Sequence, residues 1–179
     1  MAGKGFSAVG LAEILSAARV PKGSFYYYFD SKEQFGEALL EAYFADYLKR
    51  VDALFGQESL PVRDRLMTYW QRWMEVQSLD PDSRQCLVVK LSAEVSDLSE
   101  TMRRVLRKGT DEVLARLALC LTAGVKDGSF HAGLDPQATA HALYQLWLGA
   151  SLLAKVHKDS SPFEMAMRTT RTWLGSKGV

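Results

Sequence analysis

Apolar residues recur along most of this chain at the three-and-four spacing of helix faces, and turn signals separate the runs. Leu11, Ile14 and Leu15 share one face of a short helix that ends near Ala17-Ala18. After the break Arg19-Val20-Pro21, residues Lys22 to Phe29 predict a second short helix, with Phe25 and Phe29 four apart and able to pack on Leu11 and Ile14. Ser31 is a suitable N-cap for a long helix whose stripe runs from Phe35 through Leu39, Leu40, Phe44, Leu48 and Val51 to Leu54, before Gly56. Another helix follows Pro61 and ends before Asp80-Pro81, and a third begins near Asp82 to Arg84 and includes Cys86, Leu87 and Val95. Leu98 to Val125 predicts one or two helices stopped by Lys126-Asp127-Gly128. A strongly apolar helix spans about Pro136 to Val156, and a last one follows Ser161-Pro162. The fold class is therefore all-α, without internal repeats or low-complexity tracts.

Within this pattern, five consecutive aromatics, Phe25-Tyr26-Tyr27-Tyr28-Phe29, directly follow Pro21-Lys22-Gly23-Ser24. Tyrosine joins a large apolar ring to a polar hydroxyl, so a short helix rich in it can pack on one side and touch phosphates on the other. With Phe25 and Phe29 inward, Ser24, Tyr27 and Tyr28 are left outward. Two helices joined by a tight turn, the second presenting polar and aromatic groups, describe a helix-turn-helix. The alternative is a buried aromatic strand after a turn, because short apolar runs do not fix their own period.

The segments Gly5-Phe6, Leu11-Ala12-Glu13-Ile14, Val20 to Phe29 and Ser31-Lys32-Glu33 resemble the DNA-binding signature of the TetR/AcrR family of transcriptional regulators. The resemblance implies a dimeric, all-helical, ligand-responsive repressor acting on double-stranded operator DNA. Carried over by position, Lys22, Ser24 and Tyr27 would reach base edges or nearby phosphates, with Gly23 between them. Tyr26, Tyr28 and Lys32 would hold the DNA backbone. Two positions depart from the family pattern: Arg19 stands where a turn glycine is usual, and Gly10 where a threonine often opens the first helix of the pair. The family also places a full helix ahead of Gly5-Phe6, where only Met1 to Lys4 stand here, so an upstream segment is expected. The implied division is a DNA-binding domain over 1–36, lacking its first helix, and a helical regulatory and dimerisation domain over 37–179.

Charge does not strengthen this reading. The 179 residues carry a net +1, and Lys4, Arg19, Lys22 and Lys32 oppose Glu13, Asp30 and Glu33 within the first thirty-five residues. No apolar stretch reaches the roughly eighteen residues of a membrane span, and no secretion signal opens the chain. Two distant cysteines, Cys86 and Cys120, suit a reducing cytoplasm. His131, His141 and His157 lack helical metal spacing, so neither a metal nor another cofactor is expected.

Leu143, Trp147, Gly149, Ala150 and Leu153 form a broad apolar face on the penultimate helix. In the resembled family the last two helices build a four-helix homodimer interface; the alternative is an internal core helix. Cys86 lies near a predicted helix start, close in sequence to Arg84 and Lys90, and both features favour the reactive thiolate. Cys120, inside Leu117-Ala118-Leu119-Cys120-Leu121, reads as an inert core thiol. Gln85 to Val95 and Leu143 to Ala150 look like the family's subgroup of repressors that respond to N-ethylmaleimide and reactive electrophiles. This resemblance implies a redox-sensing cysteine at the position of Cys86. Lys155 is a second sensor candidate, able to lower a thiol pKa or trap an oxidised sulfur; otherwise it is a snorkelling surface lysine. Trp70, Trp73, Met74 and Tyr144 could line a pocket for an apolar effector or could be plain core. The chain reads as a regulator and not an enzyme. A thiol peroxidase or transferase would need a Cys-X-X-Cys pair, a Gly-rich cofactor loop or a partner histidine that the pattern does not supply.

Overall fold

A computed structural model describes residues 5–78 and 87–175. Eight helices occur among them: α1 (Leu11–Ala18), α2 (Lys22–Tyr28), α3 (Lys32–Phe55), α4 (Val62–Ser78), α5 (Leu87–Leu98), α6 (Glu100–Lys126), α7 (Pro136–His157) and α8 (Ser161–Trp173). No strand is found among the described residues. The aromatic stretch is thus helical, which removes the buried-strand alternative. The apolar run after Leu98 is one helix of 27 residues.

The expected signals at Ser31 and Gly56 bound α3. Ser31 caps α3, its hydroxyl accepting from Gln34 N–H at 3.1 Å, and α3 stops at Phe55 before Gly56. Asp135 caps α7 by accepting from Gln137 and Ala138 N–H, with Pro136 in the first turn. At the end of α1, Arg19 adopts φ 54°, ψ 40°. Val20 N–H reaches back to Leu15 C=O at 3.0 Å, the six-residue closure of a Schellman turn. An arginine thus occupies a left-handed position that glycine adopts without penalty.

The contacts divide the chain into two units, Met1–Asp46 with Asp80–Gly109, and Tyr47–Leu79 with Thr110–Val179. Helices α3 and α6 each contribute to both. The first unit buries Phe6, Phe25, Leu40, Phe44, Leu91, Val95 and Met102. Two glycines allow this packing: a Cβ on Gly36 would lie 2.6 Å from the Phe6 ring, and one on Gly109 only 2.3 Å from that of Phe44. The core of the second unit is aromatic. Trp70 and Trp147 stack at 4.9 Å and 12°, flanked by Tyr69, Trp73, Tyr144 and Phe163. In this unit α7 packs along α8, and Arg116 of α6 forks onto Asp52 of α3 at 2.6 and 3.0 Å.

Candidate nucleic-acid interface

Helix α2 has only seven residues, too short to be stable alone, so its neighbours must hold it. Pro21 sets its start, with backbone φ −61° and a carbonyl that accepts from Ser24 and Phe25 N–H. Phe25 anchors it: 5 % exposed, its ring lies 5.3 Å from Phe29 and 5.7 Å from Phe35 of α3. At Phe29 the backbone turns extended (φ −136°, ψ 126°), which ends the helix.

With Phe25 inward, its three neighbours project outward. Tyr26 is 49 % exposed, Tyr28 72 % and Tyr27 82 %. The rings of Tyr27 and Tyr28 meet edge to face at 4.9 Å, and the Lys22 ammonium lies 5.8 Å from the Tyr26 ring centre. Lys22, Gly23 and Ser24 are exposed beside them, and a Cβ on Gly23 would meet nothing within 4 Å. Six of the seven residues assigned to DNA contact thus share one short exposed helix. The seventh, Lys32, is turned inward. Its ammonium donates to Phe6 C=O at 2.6 Å and sits 4.4 Å from the Phe6 ring centre. Lys32 therefore holds the module together, and only its remaining donors are left for a phosphate.

Residues 1–39 match the family description "Bacterial regulatory proteins, tetR family", and residues 61–170 match "Tetracyclin repressor-like, C-terminal domain". The chain belongs to the TetR family. Its two-helix module is a TetR-type helix-turn-helix, and the remaining helices correspond to the family's C-terminal domain. Among similar proteins, the HTH-type transcriptional repressor NemR of Escherichia coli K12 is 40% identical over 176 residues, 98% of this chain and 88% of that protein. The transcriptional regulator AcuR of Cereibacter sphaeroides is 37% identical over 93% of this chain and 76% of its own length. The crystal structure of the reduced form of E. coli NemR superposes with a TM-score of 0.92 at 42% identity, covering 99% of this chain and 92% of that one.

The other assigned positions fall out differently. Cys86 lies outside the described residues. Lys155 is exposed in the last turn of α7, where a cation also suits the helix dipole. Cys120 is buried, and loss of hydration pushes its thiol up to about 12, with Arg65 opposing only in part. It remains a protonated core side chain at neutral pH.

The five residues of the expected interface face divide between two sides of α7. Leu143, Trp147 and Ala150 are buried within the second unit, and Trp147 Nε1 donates to Thr170 Oγ1 at 3.0 Å. Gly149 and Leu153 lie on the exposed side with Leu152 and Val156, and Met165 and Trp173 of α8 are also exposed. Helix α7 is apolar on two sides, and its sequence merges them into one stripe. The pocket candidates Trp70, Trp73 and Tyr144 are brought together as buried core, with Met74 half-buried beside them in sequence. Trp73 Nε1 is satisfied by Ser151 Oγ at 2.9 Å, whereas Trp70 Nε1 has no hydrogen-bond partner among the described residues.

Proposed function

We propose that this protein is a transcriptional repressor that binds operator DNA as a homodimer and is released when Cys86 is alkylated or oxidised. The observation that carries the DNA-binding half is the outward projection of Tyr26, Tyr27 and Tyr28 from a helix anchored by buried Phe25. Contiguous exposed rings of this size mark an interaction surface, and their hydroxyls suit phosphate oxygens. In this reading α2 enters the major groove, Lys22, Ser24 and Tyr27 reach base edges or adjacent phosphates, and Tyr26 and Tyr28 brace the backbone. Residues 1–36 read DNA, and 37–179 sense and dimerise. Exposed Leu152, Leu153 and Val156 of α7, with Met165 of α8, supply the apolar surface for a second copy. Two-fold pairing matches half-sites one helical turn, about 34 Å, apart.

The sensing half rests on the two cysteines. Burial removes Cys120 from consideration. Cys86 immediately precedes α5 in the sequence, so a bulky or oxidised sulfur there acts at the start of that helix. The similarity to NemR, whose crystal structure is described as the reduced form, supports a redox-responsive regulator. Replacing Cys86 with Ser tests it: the variant should bind operator DNA normally and ignore N-ethylmaleimide, and continued release would rule the thiol out. In that event a second reading takes over, release by a non-covalent apolar ligand. Its support is the unsatisfied indole N–H of Trp70 in the aromatic core, which a ligand acceptor atom would fill.

A further inference from the structure

The turn that opens the helix-turn-helix is tied to α5 by a single carboxylate. Glu94 accepts from Phe6 N–H at 3.0 Å and from Ser7 N–H at 2.6 Å, across 88 and 87 residues of sequence. The Ser7 hydroxyl is a third donor and the largest cause holding the Glu94 carboxyl below the usual carboxylate range. The Ser7 and Phe6 N–H groups and the Lys32 charge add to it, and burial opposes. Lys32 grips the other side of the same turn through Phe6 C=O. Gly5, at φ +88°, completes the fit, since a Cβ there would lie 2.7 Å from Glu94 Oε2.

Helix α1 half-buries Leu11, Ile14 and Leu15. It buries no residue fully, and its N-cap, Gly10, offers no side-chain acceptor. The upstream end of α1 is continuous with the turn that Glu94 holds. Helix α1 in turn packs on α2, which carries the tyrosines.

We propose that Glu94 is a positioning residue for DNA binding: through its carboxylate, α5 sets the entry of α1 and thereby the presentation of α2. This rests on the operator-binding reading above. Because α5 begins one residue after Cys86, the same carboxylate passes a displacement of α5 to the DNA reader. A residue that only stabilised the fold would lower the melting temperature without touching the effector response.

The test is fluorescence anisotropy at fixed salt with a labelled duplex from upstream of the protein's own gene and a scrambled duplex. Wild type, Glu94→Gln and Ser7→Ala are compared with and without N-ethylmaleimide, alongside thermal melts. Glutamine keeps the shape but turns an NH2 toward a donor, removing charge-assisted bonds. Affinity for the upstream duplex should fall about tenfold while scrambled-duplex affinity holds. The reagent should then weaken binding by less than half the factor seen in wild type, and Ser7→Ala should fall between. A folded Glu94→Gln protein with wild-type affinity and full response overturns the proposal. So does a loss that affects both duplexes equally and follows the melting temperature. If Glu94→Gln does not fold, Ser7→Ala, which keeps both N–H donors, decides by the same criteria. Wild type with no preference for the upstream duplex would instead sink the operator reading itself.

Discussion

Gly23→Ala separates folding from DNA binding because the two should move in opposite directions. Gly23 is the second residue of α2, is exposed, and has no left-handed φ. A methyl group there meets nothing within 4 Å beyond its chain neighbours and the local helix backbone. Helix physics alone then favours alanine by about 0.5–1 kcal/mol, since glycine loses more backbone entropy on ordering. For a chain of this size that is a rise of about 1–4 °C in melting temperature. In the proposed complex the same methyl would project between Lys22 and Ser24 toward the duplex. Displacing one phosphate contact costs about 1.4 kcal/mol, or roughly tenfold in affinity. Thermal melts read the first effect, and anisotropy titrations at fixed salt read the second. A variant that is more stable and binds DNA as tightly as wild type would show that the start of α2 does not face the duplex. A less stable one would contradict the open space around Gly23.

Arg19→Gly should stabilise the protein by about 1 kcal/mol, because the residue already sits in left-handed backbone at φ 54°; an unchanged denaturant midpoint would refute the strain. Native protein treated with N-ethylmaleimide near pH 7.5 should gain one adduct, on Cys86, and a second on Cys120 only after unfolding, as its thiol at about 12 requires; mass spectrometry counts them. Val156→Asp should break the dimer while leaving the helical content intact, whereas Trp147→Ala should destabilise by about 3–5 kcal/mol through a cavity in the aromatic core. Sedimentation and melting distinguish the pair, and a dimeric Val156→Asp protein would discard the exposed α7 face. Glu94 has a depressed pKa, so its stabilisation is present above the ordinary carboxylate range and disappears as pH falls through the lowered value. Glu94→Gln should therefore flatten the acid limb of the stability curve; an identical limb would mean the carboxylate contributes nothing.

Much of this architecture was legible because its signals are local. Ser31, Pro61, Pro136 and Ser161-Pro162 mark helix starts with donors, acceptors or fixed φ angles that act within a few residues. The outward tyrosines followed from placing Phe25 inward. What the pattern hid depends on distance or on two-sided faces. The Glu94 grip joins positions 88 residues apart, and no periodicity announces it. The Lys32 bond to the Phe6 carbonyl was hidden too, because its partner is a backbone atom with no sequence signature. Helix α7 buries Leu143 and Trp147 on one side and exposes Leu152 and Val156 on another, so apolar spacing alone could not tell core from partner surface. Arg19 shows the reverse case: the family pattern marked a left-handed position, and the chain adopts it with an arginine in place.

In the proposed complex α2 reads duplex DNA as half of a symmetric pair. The most direct test is a titration of the duplex upstream of the protein's own gene, over a series of salt concentrations, with wild type and Tyr27→Ala. Two protomers should bind each duplex, more tightly than scrambled DNA, with log affinity falling linearly with log salt. The Tyr27→Ala protein should melt like wild type yet lose the sequence preference. Equal binding of both duplexes by wild type, or a Tyr27→Ala variant that still tells them apart, would contradict this reading.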